Sequence, residues 1–322
     1  MVNPGFLIAG GIALAGVIGY SIIAPIPTPK KPSELLNPLL KSLERDYYYH
    51  LGLDSDMDLS GIFGDVRCVI CYASTVKALR TAKAIQSRAI GQLIGPIGST
   101  ERFTLYKVGA ILVVGHGMGK PTLSIFLHEI TKVLARAGSL DQTTYIRCGT
   151  SGGIGVENGT VVVTTQVLDG ALNDRFPMIV LGKRVWRDCR IDPIIVEEIM
   201  SIGVKVSKFP IVKGKTISAD DFYEGEGRMD GAINVMTDKK RVRFLKKAYR
   251  KGVRNVEMEA NQLVAFCTKL NIPCAVICFT IDEQIGGDGS IGFTEDEIYV
   301  FADNTTNVML SYVEKEILGE RR

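Results

Sequence analysis

The segment Thr143-Thr-Tyr-Ile-Arg-Cys-Gly-Thr-Ser-Gly-Gly153 decides the fold class, because a run suited to a β-strand leads directly into a turn rich in glycine. Similar short β-branched runs recur at residues 66–73, 111–115, 160–165 and 274–280. Stretches with the spacing of a half-buried helix occur at residues 122–137, 239–251, 260–270 and 295–318. This alternation predicts an α/β fold.

Composition bounds the size and the ligand class. The chain has 322 residues, of which 46% are hydrophobic, so it can form one α/β domain of about 200–250 residues behind a short N-terminal extension. The formal net charge is +3, and Lys and Arg are evenly spread. Such a charge distribution disfavours a nucleic-acid binder, so we expect a small-molecule ligand.

The cysteines indicate a reducing compartment. There are seven, an odd number, which argues against a complete disulfide framework. Cys68-x-x-Cys71 has the spacing of a metal or redox pair, but it lies in an apolar run and lacks the second pair that a zinc site needs. We therefore predict that both are core thiols.

The N-terminus predicts a membrane anchor. Residues 6–24 carry no charge and are long enough to cross a thin hydrocarbon layer, and Lys30 and Lys31 follow after three prolines. The basic flank predicts that the following domain faces the cytosol, with the outer mitochondrial membrane as one candidate; the alternative is a cytoplasmic protein. We expect an anchor and Pro-rich linker at residues 1–32 and a single globular domain at residues 33–322.

Two glycine-rich motifs resemble well-known sites but fail on context. Gly149-Thr-Ser-Gly-Gly153 fits the nucleophile elbow of serine hydrolases and loosely a dinucleotide fingerprint, yet a strand rather than a helix is predicted after it. Gly115-His-Gly-Met-Gly-Lys-Pro121 is one residue short of a phosphate-binding loop and has Pro121 where Ser or Thr is needed. Hydrolase, dinucleotide and ATP sites are therefore disfavoured.

Two other features indicate a ligand site. Arg147 comes just before a turn of Thr and Gly, which brings together a fixed cation, a hydroxyl and backbone N–H groups, a combination suited to an anion. Asn255-Val-Glu-Met-Glu259 runs from a strand into a helical stretch, where one carboxylate could bind the paired hydroxyls of a sugar. Taken alone, the second motif could equally be a solvated helix start.

Three segments together resemble the signatures of animal uridine phosphorylases, which belong to the nucleoside phosphorylase superfamily. They are Ile146-Arg-Cys-Gly-Thr-Ser-Gly-Gly-Ile-Gly155, Asp221-Phe-Tyr-Glu-Gly-Glu-Gly-Arg-Met-Asp-Gly-Ala232 and Gly252-Val-Arg-Asn-Val-Glu-Met-Glu259. The resemblance runs from about residue 47 to the C-terminus. It implies a single-domain nucleoside phosphorylase fold with a central mixed β-sheet flanked by helices, here preceded by a transmembrane-like helix.

The resemblance also implies a reaction. Family members split uridine or a related nucleoside with inorganic phosphate as co-substrate, giving the free base and a (deoxy)ribose 1-phosphate, without a metal or organic cofactor. The expected binding partners are the nucleoside, phosphate and a second subunit, in a homodimer with shared active sites, and not nucleic acid.

The resemblance assigns the site residues in three groups. Phosphate would contact Ala73, Lys77, Arg102, Arg147 and Thr150; ribose would contact His50, Met258 and Glu259; the base would contact Phe222, Glu226 and Arg228. Within these groups, Arg102 and His50 would come from the partner subunit.

Three residues depart from the family pattern. Ala73 stands in a glycine position, where a Cβ restricts positive φ and close approach of phosphate. Lys77 replaces an arginine, which keeps the charge but loses the planar fork. Both changes predict weaker phosphate binding.

The third departure affects the base. Glu226 stands in the position of a glutamine, and an ionised carboxylate accepts hydrogen bonds but cannot donate. The replacement of glutamine by Glu226 therefore predicts reduced uridine turnover or a different base preference. A catalytically impaired relative that acts as a binding or structural protein, or a nucleoside sensor without turnover, therefore stays as an alternative to the enzyme.

Overall fold

A computed structural model describes residues 29–98, 100–287 and 292–319 of the chain. In these ranges the strands are β1 (Tyr47–Tyr48), β2 (Leu53–Asp54), β3 (Cys68–Tyr72), β4 (Leu93–Ile97), β5 (Thr104–Val108), β6 (Ile111–Gly115), β7 (Thr144–Gly153), β8 (Val161–Asp169), β9 (Arg175–Val180), β10 (Lys183–Asp188), β11 (Ile211–Ser218), β12 (Val253–Glu257) and β13 (Cys274–Glu283). The helices are α1 (Leu59–Phe63), α2 (Thr75–Ser87), α3 (Lys120–Ala137), α4 (Pro193–Val206), α5 (Asp238–Arg250), α6 (Ala260–Leu270) and α7 (Glu295–Tyr312), which continues into a π-helical turn, Val313–Ile317.

Nine strands form one mixed sheet, as predicted. Their order is β12-β11-β8-β13-β7-β3-β6-β5-β4, and β12 also pairs with β7. This extra pairing closes a ring of strands within the sheet. Strands β7, β3 and β6 run parallel to one another, whereas β4 and β5 are antiparallel neighbours at the open edge. Parallel strands of this kind are buried on both faces, which explains their continuous apolar sequences.

Helices cover both faces of the sheet and give it two cores. On one face, α3 buries Phe126, Ile130 and Leu134, all members of the amphipathic pattern in the sequence. On the other face, α2 buries Ala82 and Ile85 beside α4 and α7. The helices at residues 122–137, 239–251 and 260–270 are confirmed to within about two residues at each end. The stretch at residues 295–318 is confirmed as α7 and its π-helical turn.

Helix α2 had no clear signal in the sequence. Its buried face is made of Ala78, Thr81, Ala82 and Ile85, so three of the four fully buried positions carry small side chains where an amphipathic helix usually has large apolar ones. This helix matters for function, because its first turn lies at the cavity described below.

The cysteines are confirmed as core thiols. All seven are free, and Cys68 and Cys71 are fully buried in β3. Burial raises the pKa of both thiols, that of Cys71 to about 12, which leaves them protonated and unreactive at neutral pH.

The first described residues lie against the domain. Asn271 Nδ2 donates to the carbonyl oxygen of Lys30 at 2.9 Å, and the backbone N–H of Ser33 donates to Asp141 at 2.8 Å. No helix within residues 29–98, 100–287 and 292–319 is long and apolar enough to cross a membrane. The hydrophobic segment at residues 6–24 lies outside the described residues, so the anchor stays a prediction.

Candidate active site

A cavity of about 440 Å³ brings most of the predicted site residues together. Its lining includes eight of the eleven: Ala73, Lys77, Arg147, Thr150, Phe222, Glu226, Met258 and Glu259. A cavity of about 460 Å³ lies elsewhere on the domain, and one of about 410 Å³ adjoins the site and shares Tyr72 and Lys77 with it, so volume does not single out this one. Its chemistry does, because buried acidic and basic groups converge on it.

The sheet explains the convergence. Strand β3 ends at Tyr72, while its parallel neighbour β7 pairs Arg147 with Cys71 and continues to Gly153. Strand β12 runs antiparallel to the end of β7 and delivers Glu257 to the same place. Ligand sites in α/β folds commonly lie where strands end or change direction in this way.

Arg147 lies between two buried carboxylates. Its Nε donates to Glu257 Oε2 at 2.7 Å, and its Nη2 donates to Glu259 Oε2. Glu259 also accepts a hydrogen bond from the backbone N–H of Gly119 at 2.5 Å. Burial opposes the charge on Arg147, but Glu259 and Glu257 outweigh it and raise the pKa of Arg147, so the guanidinium stays charged.

One donor of Arg147 remains open. Its Nη1 is buried and has no hydrogen-bond partner among the described residues. The turn predicted at Gly149–Gly153 was wrong, because β7 continues to Gly153. A Cβ at position 149 would lie 3.0 Å from Nη1, so Gly149 lets the guanidinium lie directly against the backbone of β7. A buried charged N–H without a partner is costly, and an anion in the cavity would satisfy it.

The N-terminus of α2 forms the second part of the anion-binding side. Ser74 caps the helix by accepting from the backbone N–H of Lys77 at 3.2 Å. The Nζ of Lys77 donates to Thr150 Oγ1 and lies 5.0 Å from the ring centre of Phe279. Burial lowers the pKa of Lys77. Helix N-termini favour anions. Lys77, Thr150 and Arg147 add positive charge and a hydroxyl group on the same wall, so this wall is suited to an anion.

Ala73 has no positive φ. In the described part of the chain, non-glycine residues with positive φ are Ala89, Leu172, Leu181 and Asn271. Ala73 therefore adopts a conformation that is ordinary for a residue with a Cβ, and weaker phosphate binding stays a prediction. Its Cβ still stands at the cavity wall, where it limits close approach.

The opposite wall is built from a segment without helix or strand, residues 219–237. Arg228 lies 4.1 Å from the ring centre of Phe222, its Nε lies 3.5 Å from Glu226 Oε2, and its Nη2 lies 3.5 Å from Asp282 Oδ2. Arg228 does not line the cavity itself but adjoins Glu226, and both are nearly fully buried. Burial raises the pKa of Glu226 to about 8, although Arg228 opposes the rise.

Two predicted residues lie elsewhere. Arg102 is exposed on the loop before β5. His50 is hydrogen-bonded to Glu129, with 2.6 Å between Nδ1 and Oε1. Thr100 Oγ1 donates to the carbonyl oxygen of His50 at 2.6 Å, so the two residues belong to neighbouring loops. Neither lines the cavity of its own chain, and their assignment to a partner subunit stays a prediction.

Sequence reasoning missed two groups. Glu257 is the other carboxylate of the Asn255 to Glu259 motif, and its Oε1 accepts from the backbone N–H of Ala260 at 2.8 Å. Gly119, with φ of 92°, lies in the loop that resembled a phosphate-binding loop and instead supplies an N–H to Glu259. The signal available in the sequence was a glycine directly before a helix, a residue that adopts positive φ easily. Within the described ranges, no group of three or more His, Cys, Asp or Glu residues has the arrangement of a metal site.

Comparisons with known proteins agree with this geometry. Residues 77–314 match the model of the phosphorylase superfamily. The chain is 34% identical to uridine phosphorylase 1 of Mus musculus over 88% of this chain and 93% of that one, and 32% identical to inactive uridine phosphorylase B of Schistosoma mansoni over 87% and 96%. A uridine phosphorylase structure from Phytophthora capsici superposes with a TM-score of 0.82 at 39% identity, covering 88% of this chain and 98% of that one.

Proposed function

The chain belongs to the phosphorylase superfamily, and from this we propose that it cleaves uridine or a closely related nucleoside with inorganic phosphate, giving the free base and a (deoxy)ribose 1-phosphate. The observation that supports this most directly is the contact between Arg147 and Glu259 on the wall of one cavity, with Arg147 Nη1 left open. A fixed cation for phosphate and a carboxylate for a sugar are thereby adjacent.

Phosphate would bind between Arg147, Thr150 and Lys77, beside the N-terminus of α2. Nη1 would donate to one phosphate oxygen, and the Lys77 ammonium and the Thr150 hydroxyl, which contact each other, would bind others. Inorganic phosphate would be the attacking co-substrate, so the proposed reaction needs neither a metal nor an organic cofactor.

Glu259 would accept hydrogen bonds from the ribose hydroxyls. A carboxylate has about four lone-pair sites. Arg147 and the N–H of Gly119 use two of them, which leaves acceptor capacity facing the cavity. As the glycosidic bond breaks, positive charge develops on the sugar and negative charge on the base. Glu259 would stabilise the sugar and Arg228 the base, and such fixed electrostatics are usually the largest contribution to catalysis.

We further propose a homodimer in which each subunit completes the neighbour's cavity with Arg102 and His50. Their position outside the cavity of their own chain supports this arrangement. A complementation experiment tests it: the Arg102→Ala and Glu259→Gln variants are purified, mixed, and allowed to exchange subunits. A mixed dimer would regain one intact site, so activity should rise above that of either variant alone. No rise despite demonstrated exchange would contradict shared sites.

The function itself is tested by incubating the full chain with uridine, thymidine, inosine and cytidine, with and without phosphate. Phosphate-dependent release of uracil is the expected result. Binding without release would favour a sensor, and the absence of both would favour a structural role. The second candidate has a specific basis, because Glu226 occupies the base wall and one relative, inactive uridine phosphorylase B, is named inactive.

We also propose that residues 6–24 anchor the chain in a membrane with the domain on the cytosolic side. The support is the uncharged sequence of this segment and the lysines that follow it. Release of the intact protein from membranes by alkaline carbonate would contradict the proposal.

A further inference from the structure

The cavity as a whole carries more acid than its cations balance. Four carboxylates, of Glu226, Glu257, Glu259 and Asp282, lie in or directly behind the lining, together with the cations of Arg147, Arg228 and Lys77. A phosphate anion would add further negative charge. Buried carboxylates that cannot all be paired take up protons, because neutralisation costs less than an unpaired buried charge.

Glu226 has the weakest pairing of these carboxylates. Glu257 and Glu259 each receive close hydrogen bonds from Arg147 and from backbone N–H groups. Asp282 receives a hydrogen bond from Gln284 Nε2 at 2.7 Å. Glu226, by contrast, has Arg228 Nε at 3.5 Å, and Arg228 is shared with Asp282.

The groups that face Glu226 explain its protonation. Arg228 from the same segment favours the ionised form, whereas Glu257 from β12, Asp282 from β13 and Glu259 at the start of α6 oppose it. Burial is the largest influence and also favours the neutral form. Together these influences raise the pKa of Glu226 to about 8. The side chain is therefore mostly a neutral carboxylic acid at neutral pH.

A neutral carboxyl group has a property that the ionised form lacks. It presents one O–H donor and one carbonyl acceptor side by side, whereas a carboxylate presents two acceptors. Arg228 lies behind Glu226, with its Nε 3.5 Å from Glu226 Oε2, and with base bound its guanidinium would supply a further donor. The two residues together would then offer a donor, an acceptor and a donor. The free edge of a pyrimidine-2,4-dione offers the complement: a carbonyl, an N–H and a second carbonyl.

We propose that Glu226 acts as a protonated carboxylic acid that, together with Arg228, reads the carbonyl–NH–carbonyl edge of uracil-type bases, so that loss of this proton switches the site away from them. The proposal rests on the proposed function and names the residue that sets its base specificity. Ionised Glu226 with Arg228 would offer one donor and two acceptors, which fits a base with a carbonyl, an N–H and an amino group instead.

The test measures binding of free bases by calorimetry, which requires no turnover. Uracil is compared with isocytosine, a base of the same size that presents the carbonyl, N–H and amino edge. The protein is the full chain, and each titration is repeated in buffers of different ionisation enthalpy to count protons. Glu226→Gln is the key variant, because an amide offers a donor and an acceptor at every pH. Asp230→Asn changes an exposed acid of the same segment and serves as the matched control.

Above the pKa of Glu226, uracil affinity of the unmodified chain should fall about tenfold per pH unit, and binding should take up close to one proton. Isocytosine affinity should hold or rise over the same range. Asp230→Asn should behave like the unmodified chain, whereas Glu226→Gln should bind uracil without proton uptake and without this fall.

Three outcomes would overturn the proposal: equal pH dependence of uracil binding in the unmodified chain and in Glu226→Gln, tighter binding of isocytosine than of uracil below the pKa, or no uracil binding. A parallel uridine phosphorolysis assay separates this from the proposed function. Proton-linked uracil binding without phosphorolysis would support the role of Glu226 and contradict the proposed enzyme activity. Phosphorolysis with the same pH profile in the unmodified chain and in Glu226→Gln would support the enzyme activity and contradict the role of Glu226.

Discussion

The two walls of the cavity are built in different ways. The phosphate and ribose wall consists of Arg147 on β7, Glu257 on β12 and Glu259 at the start of α6, each held by short hydrogen bonds. The base wall comes from residues 219–237, which have no helix or strand, and its charged contacts are 3.5 Å long. The first wall is a consequence of the sheet. The base wall does not belong to the sheet, so a substitution there can change its chemistry and leave the strands in place. Glu226, which departs from the family pattern, lies in this wall.

Arg147→Met should have the largest effect and break the first wall. Removing the cation leaves Glu257 and Glu259 buried without a cationic partner, which should cost about 3–5 kcal/mol of unfolding free energy. Uridine phosphorolysis should be lost as well. Denaturant unfolding and an activity assay measure the two effects.

Arg175→Met is the matched control for that experiment. Arg175 pairs with Asp188 at 3.1 Å on the surface, where both side chains are more than half exposed. Exposed pairs contribute about 0–1 kcal/mol, so stability should hardly change. Equal losses in the two variants would show that the buried network has no special role.

Glu259→Gln should have the next largest effect and sharpen the role of the ribose. Hydrogen bonds to a charged acceptor contribute about 1.5–3 kcal/mol, so kcat/KM for uridine should fall about 10–100-fold. The loss should be smaller for 2′-deoxyuridine, which has one hydroxyl fewer. Glu257→Gln is the control within the same network. It should lower kcat/KM for uridine and for 2′-deoxyuridine by the same factor, because Glu257 acts through Arg147. A uridine-selective loss in Glu257→Gln would reverse the assignment of the two carboxylates.

Lys77→Arg should have the smallest effect and test the phosphate end. A guanidinium restores a two-pronged donor, so KM for phosphate should fall by about fivefold, equivalent to ~1 kcal/mol. The lowered pKa of Lys77 means that the ammonium loses its charge at a lower pH than usual. KM for phosphate should therefore rise toward alkaline pH in the unmodified chain and stay flat in Lys77→Arg. Lys83→Arg, an exposed change on the same helix, should alter neither value.

Much of the fold followed from local sequence pattern. The β-branched runs became buried strands, and the large apolar residues of α3 became one core face, because periodicity directly reflects which side of an element is covered. Helix α2 escaped prediction because its buried face is made mostly of small residues, with Ile85 as the one large side chain among the fully buried positions. Its N-terminus meets the cavity. A prediction based on the spacing of large apolar side chains misses helices that pack closely through small residues.

The sequence by itself determined the α/β class, the superfamily and the identity of most residues around the cavity, since a motif such as Arg147 to Gly153 is recognised from its local sequence alone. Only the tertiary structure decided their charge states and partnerships. It joined Arg147 to Glu257 and Glu259 across more than a hundred residues of chain, and it buried Glu226 among other acids. A protonation state depends on desolvation and on neighbours brought together by folding, and no local pattern records either one.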